Sequence, residues 1–307
     1  MTLKEIAQEA GVSISTVSRV VNKNSPGAAS KEVQDKIWEI VRRTGYTPNS
    51  TARTLKLGEH ETAQPSRSIA CMFARTEDIV TDQFFTSLSR SIEQEAFKRN
   101  YVLKYSFSAF DVSHSSTFRL IMDNHVDGVV ILGRCDKPLL KMLKQYFNNV
   151  VYTGLNSLNA KYDQIICDGH DAAKEAVEYL IQLGHKKIAY IGETQSENRY
   201  LGYCDALSAH RIPLQKTYTC NVHLSSESGY QGTKKLLEQG CDATAYFCAN
   251  DITAIGAMRA LQESGYSIPG DVSVISIDDI DMAQYMTPML TTMHIPVEEM
   301  GQMTAKI

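Results

Sequence analysis

The chain has 307 residues, of which 43% are hydrophobic, so it is long enough to form packed cores in two or three domains. No apolar run reaches the roughly 18 residues that a transmembrane helix needs, and the first residues do not form a signal peptide. The seven cysteines are scattered singly, with no pair at zinc-site spacing. We therefore expect reduced thiols, a cytoplasmic location and no metal site.

The net charge of −4 is distributed unevenly along the chain. Residues 1–58 carry a charge of +4, and the remaining residues carry −8. A small basic segment on a large acidic body is suited to contact nucleic-acid phosphates through that segment alone. Ordinary local variation in charge is the alternative explanation.

The first predicted helix starts at a capping box, in which Thr2 and Glu5 satisfy each other's backbone N–H groups. The apolar residues Leu3, Ile6, Ala7 and Ala10 recur at helical spacing. Gly11 follows at a position where a left-handed backbone ends a helix.

Ser13 is predicted to cap a second helix, Ile14–Asn22. Its valines at 17, 20 and 21 share one face, and Ser15, Ser18, Arg19 and Asn22 share the other. This pattern indicates a helix-turn-helix whose second helix offers hydrogen-bonding side chains to the DNA major groove. Two helices of an unrelated bundle would show the same helix-glycine-helix order.

A third helix is predicted to start near Ser30 and end at Thr44-Gly45, which completes a small three-helix domain. Asn49 can cap a short segment from Ser50 to Leu57, which is too short to be a stable helix alone in water. Residues 58–67 form a polar linker.

From Ser68 onward, short apolar strands alternate with helices of about 10–15 residues, which indicates parallel sheets covered by helices. Two series of about five strands favour two Rossmann-like subdomains over one large sheet. The predicted strands are Ile69–Phe73, Val102–Ser106, Gly128–Leu132, Val150–Tyr152, Gln164–Cys167, Lys187–Ile191, Tyr218–Val222, Ala243–Cys248 and Val272–Ile277.

Ligands of open parallel sheets bind beyond the carboxyl ends of the strands. The residues that follow predicted strands there include Phe84 and Phe85, Thr194 to Arg199, Asn250 and Asp278. Aromatic rings can cover a sugar face or stack on a purine, and Arg199 and Asp278 can hydrogen-bond hydroxyl groups or ring atoms. Asn250 and Asp278 can instead cap the helices that follow them.

The amino-terminal segments Leu3-Lys4-Glu5-Ile6-Ala7, Ala10-Gly11-Val12-Ser13 and Thr16-Val17-Ser18-Arg19-Val20-Val21-Asn22 closely resemble the start of the lactose-repressor/galactose-repressor (LacI/GalR) family of bacterial transcription regulators. The resemblance implies an all-α helix-turn-helix headpiece followed by an α/β periplasmic-binding-protein-like body with two Rossmann-like parallel-sheet subdomains. It also implies a homodimer bound to a pseudo-palindromic operator.

The resemblance assigns DNA contacts to the second helix and to a hinge helix whose leucine enters the minor groove. The residues at these places are Ile14, Ser15, Thr16, Ser18, Arg19 and Asn22 in the headpiece, and Asn49, Ala52 and Leu55 in the hinge. It assigns effector contacts to Asp82, Phe84, Phe85, Arg199, Leu224, Asn250 and Asp278.

The implied boundaries are 1–46 for the headpiece, 47–57 for the hinge helix and 58–67 for the linker. The first subdomain comprises 68–158 and 291–307, and the second comprises 159–290. The family continues past the position of Ile307 with a further helix turn and strand, so the resemblance predicts that the sequence is a shortened form of such a chain.

An enzyme is the rival class. The sequence has no Gly-x-Gly-x-x-Gly after a strand, no P-loop and no Gly-x-Ser-x-Gly, so neither a cofactor nor a catalytic residue is predicted. We expect a repressor of a carbohydrate-utilisation operon that responds to a small sugar. The alternatives are a repressor with a purine corepressor and a sugar-binding protein without regulatory DNA binding.

Overall fold

The computed structural model describes residues 2–22, 29–44, 46, 67–74 and 83–307. The chain divides into two compact units. The first comprises Met1–Thr153, Leu158–Ile165 and Gly301–Ile307, and the second comprises Gly154–Ser157 and Ile166–Met300. In the described part of the chain, every helix is too short or too polar to span a bilayer.

The chain begins with three helices, α1 (Leu3–Ala10), α2 (Ile14–Asn22) and α3 (Lys31–Thr44). The predicted capping box is present at α1, where Thr2 N donates to Glu5 Oε2 (2.8 Å) and Glu5 N donates to Thr2 Oγ1 (3.3 Å). Gly11 ends this helix with φ of 73°, and Thr16 N donates to Ser13 Oγ (3.1 Å) at the start of α2. The helices enclose a small core of Ile6, Ala7, Ala10, Val17, Val20, Val21, Ile37, Trp38, Ile40 and Val41.

The third helix also packs against the rest of the first unit. Tyr146 donates its hydroxyl proton to the backbone oxygen of Val41 (2.7 Å), and Arg119 donates to Gln34 Oε1 (3.3 Å). The ring of Phe118 lies edge-on to that of Tyr146, with 5.1 Å between centroids. The three-helix domain is therefore joined to the first sheet lobe by packing as well as by the chain.

The first sheet has five strands in the order β2-β1-β3-β4-β5, and its first four strands pair in parallel. These strands are β1 (Ser68–Phe73), β2 (Val102–Ser108), β3 (Gly128–Leu132), β4 (Asn149–Gly154) and β5 (Asp163–Ile166). The helices of this lobe are α4 (Gln83–Lys98), α5 (Ala109–Ser113), α6 (Ser115–Asp123) and α7 (Lys137–Tyr146).

The second sheet also has five strands, in the order β10-β9-β8-β6-β7. These are β6 (Ile188–Gly192), β7 (Thr219–Asn221), β8 (Ala245–Cys248), β9 (Ser273–Asp278) and β10 (Thr291–His294). Its helices are α8 (Gly169–Gln182), α9 (Asn198–Ala209), α10 (Ser226–Glu238) and α11 (Asp251–Glu263), and α12 (Val297–Lys306) ends the chain. Short 3-10 turns lie at Lys216–Tyr218 and Asp281–Tyr285.

The two sheets have the same topology. Counted from its own first strand, each sheet has the order 2-1-3-4-5, which is the doubly wound arrangement. The fold class predicted from the sequence is thereby confirmed, with helices first and two parallel-sheet lobes after them.

Two strands lie in sheets other than those implied by the predicted boundaries. Strand β5 pairs within the first sheet, although residues 159–167 were assigned to the second subdomain, and β10 pairs with β9 in the second sheet, although 291–294 were assigned to the first. Both are short edge strands without a fully buried residue, so their composition does not indicate which sheet they extend. The chain returns to the first unit within α12, at Gly301.

Candidate functional site

The second helix presents a polar face outward, as its sequence pattern predicts. Val17, Val20 and Val21 are buried, whereas Ser15 and Arg19 are exposed and Ser18 is half-buried. Ile14, the first residue of this helix, is 47% exposed. The structure therefore leaves the face that would enter a groove open to solvent.

Local hydrogen bonds order this face. Ser13 Oγ lies 2.7 Å from Ser15 Oγ and 2.8 Å from Thr16 Oγ1, and Arg19 Nε donates to the backbone oxygen of Ser15 (3.3 Å). Thr16 is half-buried, and Asn22 is the last residue of α2. The predicted hinge residues Asn49, Ala52 and Leu55, like Asp82, lie outside the described residues.

Four of the predicted effector residues follow strands at which a sheet reverses its order. That reversal falls between β1 and β3 in the first sheet and between β6 and β8 in the second. In doubly wound sheets, the carboxyl ends of these strands flank the ligand crevice. Phe84 and Phe85 follow β1, Arg199 follows β6, and Asn250 follows β8.

In the second lobe, Arg199 is held at the start of α9 by a carboxylate that the sequence analysis did not identify. Its Nε donates to Glu197 Oε1 (2.7 Å) and its Nη2 to Glu197 Oε2 (3.1 Å), while Nη1 donates to the backbone oxygen of Ala249 (2.9 Å). Arg199 thus connects the loop after β6 to the end of β8. Burial lowers the pKa of Arg199, but the charge of Glu197 and its hydrogen bond outweigh burial, so the net shift is upward.

Asn156 lies beside this ion pair. Its Nδ2 lies 3.4 Å from Glu197 Oε1, and its Oδ1 accepts a hydrogen bond from Asn198 N (2.8 Å). Glu197, Arg199 and Asn156 are all buried. A buried polar cluster at the carboxyl end of a central strand is typical of a ligand site.

Asp278 ends β9 with φ of 134°, a backbone conformation that residues with a side chain rarely adopt. Its carboxyl group is buried and acts on Arg199 electrostatically. Asn250 caps α11, where its Oδ1 accepts from Thr253 N (3.1 Å), so the predicted alternative role is present there. Leu224 is half-buried in the loop between β7 and α10.

A second buried carboxylate anchors the loop that carries Asp278. Asp251 accepts hydrogen bonds from Ser276 Oγ (2.5 Å), Thr292 Oγ1 (2.6 Å) and Ile280 N (2.9 Å). Its side chain is fully buried, and this burial raises its pKa. Asp251 therefore fixes the residues after Asp278 against α11 and β10.

In the first lobe, Phe84 and Phe85 form an edge-to-face pair with 5.1 Å between centroids. Phe84 is 6% exposed and belongs to the core, whereas Phe85 is half-buried. A Cβ built on Gly133, just after β3, would lie 2.7 Å from Phe85 Cζ. The glycine therefore leaves the space in which the Phe85 ring packs across the ends of β1 and β3.

Sequence reasoning identified Arg199 and Phe85 as site residues but assigned no role to Glu197, Asn156, Gly133 or Asp251. Glu197 had a usable signal, because it is an acidic residue two positions before Arg199 in a loop that follows a buried strand. Nothing in the local sequence distinguishes Asn156 or Gly133 from other loop residues, since their roles depend on contacts distant in the chain.

The geometry defines a class of protein: a helix-turn-helix domain joined to two parallel-sheet lobes of the ligand-binding type. Two family models match parts of the chain. The model for bacterial regulatory proteins of the lacI family matches residues 2–49, and the model for a periplasmic binding protein-like domain matches residues 177–307.

Individual relatives match along the whole chain. The probable HTH-type transcriptional repressor ExuR of Bacillus subtilis (strain 168) is 31% identical over 312 residues, which cover 100% of this chain and 90% of that protein. The chain belongs to the LacI family of bacterial regulatory proteins.

Solved structures of other LacI-type regulators are similar to this chain along its whole length. A complex of the transcriptional regulator CelR with cellobiose has a TM-score of 0.74 at 26% identity, and covers 100% of this chain and 91% of that one. A Lac repressor dimer bound to operator and the anti-inducer ONPF has a TM-score of 0.68 at 27% identity, with the same coverage.

Proposed function

We propose that the chain is a ligand-responsive DNA-binding repressor of a carbohydrate-utilisation operon, acting in the cytoplasm as a homodimer. The observation that carries the proposal is the solvent-exposed polar face of α2, in the same chain as a buried polar site at the strand ends of the second lobe. An allosteric regulator requires two distinct sites, and this chain combines a surface suited to the DNA major groove with a ligand site.

We assign the DNA contacts by chemistry. Arg19 can donate to guanine or to phosphate, Ser15, Thr16, Ser18 and Asn22 can hydrogen-bond base edges or phosphates, and Ile14 can contact thymine methyl groups. Arg19 and Ile14 are both exposed, which supports these roles.

The hinge and the dimer complete the proposed DNA complex. Asn49, Ala52 and Leu55 of two chains would pair in the minor groove, where Leu55 would wedge between base pairs. The similarity to the Lac repressor dimer on its operator supports this arrangement. Two headpieces related by two-fold symmetry would recognise a pseudo-palindromic operator.

We propose effector contacts for the residues that the sequence analysis predicted. Phe85, with Phe84 packed behind it, and Leu224 would form apolar walls, while Asp82, Arg199, Asn250 and Asp278 would provide polar contacts. We favour a sugar as the ligand, and the similarity to the cellobiose complex of CelR supports this choice. A purine that stacks on Phe85 is the alternative. A ligand that binds one conformation of the chain more tightly than another would change operator affinity.

Selection of bound duplexes from random DNA, with the full chain, tests the proposal. We expect enrichment of a pseudo-palindrome, steep weakening of binding with salt, and a change of affinity when sugars are added. In mobility-shift assays on the selected duplex, Arg19→Ala and Leu55→Ala should each weaken binding at least about tenfold, whereas Arg211→Ala, an exposed arginine of the second lobe, should not. Failure to enrich any sequence would refute the regulatory function.

A further inference from the structure

The guanidinium of Arg199 is already paired with a carboxylate of its own chain. Glu197 binds it through both oxygens, at 2.7 and 3.1 Å, in the two-pronged geometry by which arginine binds the carboxylate or phosphate of a ligand. Both side chains are almost completely buried, with 6% and 0% exposure. Glu197 therefore occupies the position at which an acidic ligand would pair with Arg199.

The third nitrogen of this guanidinium is also engaged, since Nη1 donates to the backbone oxygen of Ala249. Each guanidinium nitrogen thus has a partner within the chain, and single N–H groups remain only on Nη1 and Nη2. Such groups can donate one hydrogen bond each to a neutral hydroxyl or carbonyl oxygen. These N–H groups cannot offset the cost of removing an anion from water, because Glu197 already neutralises the positive charge of Arg199.

The local charge balance points in the same direction. Glu197 pairs with the guanidinium of Arg199, the negative charge of Asp278 also acts on it, and all three side chains are buried. A ligand carboxylate or phosphate placed here would add a third negative charge in a region with little solvent, where repulsion between like charges is strong. Hydroxyl groups, in contrast, can donate to carboxylates and accept from the remaining N–H groups.

We infer that Glu197 is a specificity residue that makes the effector site select uncharged polyhydroxy ligands and reject sugar acids and sugar phosphates. This inference rests on the proposed function, which places the effector at Arg199. It adds the charge class of the ligand and a role for Glu197, which acts by neutralising Arg199.

Matched pairs of probes test the inference on the full chain. Thermal unfolding is measured with galactose and galacturonate, glucose and glucuronate, and ribose and ribose 5-phosphate. We expect a neutral member to raise the unfolding temperature, and its acidic partner to bind at least about tenfold more weakly. An acidic member that binds as tightly as its neutral partner would overturn the inference and leave the proposed repressor intact.

A variant tests the role of Glu197 directly. Glu197→Gln keeps the shape of the side chain but removes its charge, so Arg199 becomes available to anions. We expect inorganic phosphate and galacturonate to stabilise this variant and not the wild-type chain, while Glu238→Gln, a change at an exposed residue of α10, should behave as wild type. The absence of any gain in anion binding by a folded Glu197→Gln chain would refute the role of Glu197.

The two proposals fail in different ways. If no carbohydrate or purine of either charge stabilises the chain while it still selects an operator, the sugar-responsive part of the proposed function and this inference fall together. If sugars bind but charge makes no difference, only the inference falls. The wild-type comparison of neutral and acidic probes remains decisive even if Glu197→Gln does not fold.

Discussion

Arg119 of α6 lies over the indole ring of Trp38 in α3, with 5.5 Å between its guanidinium carbon and the ring centroid. Trp38 is the single tryptophan of the chain and is 3% exposed. Its indole nitrogen is buried without a hydrogen-bond partner, and the ring face binds the guanidinium of Arg119 through a cation–π contact. This stacked pair is a main point at which the headpiece contacts the first lobe.

Replacement of Arg119 by alanine should loosen this contact. A cation–π pair contributes about 1 kcal/mol, and the change also removes the hydrogen bond to Gln34. We expect the fluorescence of Trp38 to shift to longer wavelength and to become more sensitive to acrylamide, because the indole ring gains access to water. Lys141→Ala, an exposed cation on the adjacent helix α7, is the control and should leave both signals unchanged. Unaltered quenching in Arg119→Ala would mean that the headpiece does not depend on this pair.

Helices α10 and α11 are packed so closely that two glycines are required at their contact. A Cβ on Gly256 would lie 1.9 Å from the backbone oxygen of Ser226, and one on Gly229 would lie 2.2 Å from that of Thr253. Backbone atoms cannot move aside as flexible side chains do, so either alanine must push the helices apart. We expect Gly256→Ala to lower the free energy of unfolding by at least about 2 kcal/mol.

Urea unfolding followed by circular dichroism measures this loss. Lys235→Ala changes an exposed residue of α10 and should stay within about 0.5 kcal/mol of the wild-type chain. If Gly256→Ala were as stable as Lys235→Ala, the backbones of α10 and α11 would not lie close enough together to require glycine at this contact.

The features predicted correctly from the sequence are those that local chemistry determines. Thr2 and Glu5 form their capping box, Gly11 has the expected left-handed backbone, and the valines of α2 face inward. These outcomes depend on residues within one or two helical turns. The alternation of strands and helices also depends on short stretches of sequence, and it predicted both sheets.

The features that were missed depend on contacts between distant residues. Arg119 and Gln34 are 85 positions apart, and no periodicity in either helix indicates that they meet. The pairing of Arg199 with Glu197 is the exception, because these residues are two positions apart and their contact depends on the local backbone path into α9. Strand β5 carries no buried residue that would assign it to a sheet.

His170 of α8 should titrate above its ordinary value. Its Nδ1 lies 2.9 Å from Asp171 Oδ1 and its Nε2 lies 2.9 Å from Asp205 Oδ2 on α9, and these hydrogen bonds raise its pKa above 6.5. A raised pKa means that the protonated ring favours folding. This stabilisation is complete below pH 6.5 and is lost as the pH rises through the pKa of the folded chain.

Asp205→Asn should therefore lower the pKa of His170 toward 6.5, as followed by NMR of the imidazole protons. The difference in unfolding free energy between wild type and variant should be largest below pH 6.5 and should decline at higher pH. Glu175→Gln removes an exposed carboxylate from α8, the helix that carries His170, and serves as the control. An unchanged titration of His170 in Asp205→Asn would show that Asp205 does not interact with the ring.

Gly133 should be required for the position of Phe85 and thus for ligand binding. An alanine there would place its Cβ 2.7 Å from Phe85 Cζ, and it would also be strained because φ is 82°. Gly265 provides a matched control, since its φ is 89° but a Cβ would meet no atom within 4 Å. Both alanine variants should lose about 1 kcal/mol of stability through backbone strain.

Only Gly133→Ala should also displace the aromatic ring. If Phe85 forms a wall of the effector site, we expect Gly133→Ala to weaken sugar binding by about tenfold in calorimetry, which corresponds to about 1.4 kcal/mol. Its operator affinity without ligand should equal that of Gly265→Ala, because neither change touches the face of α2. Equal sugar affinity in the two variants would show that Phe85 does not contact the ligand. Backbone strain alone would then account for every effect of Gly133→Ala.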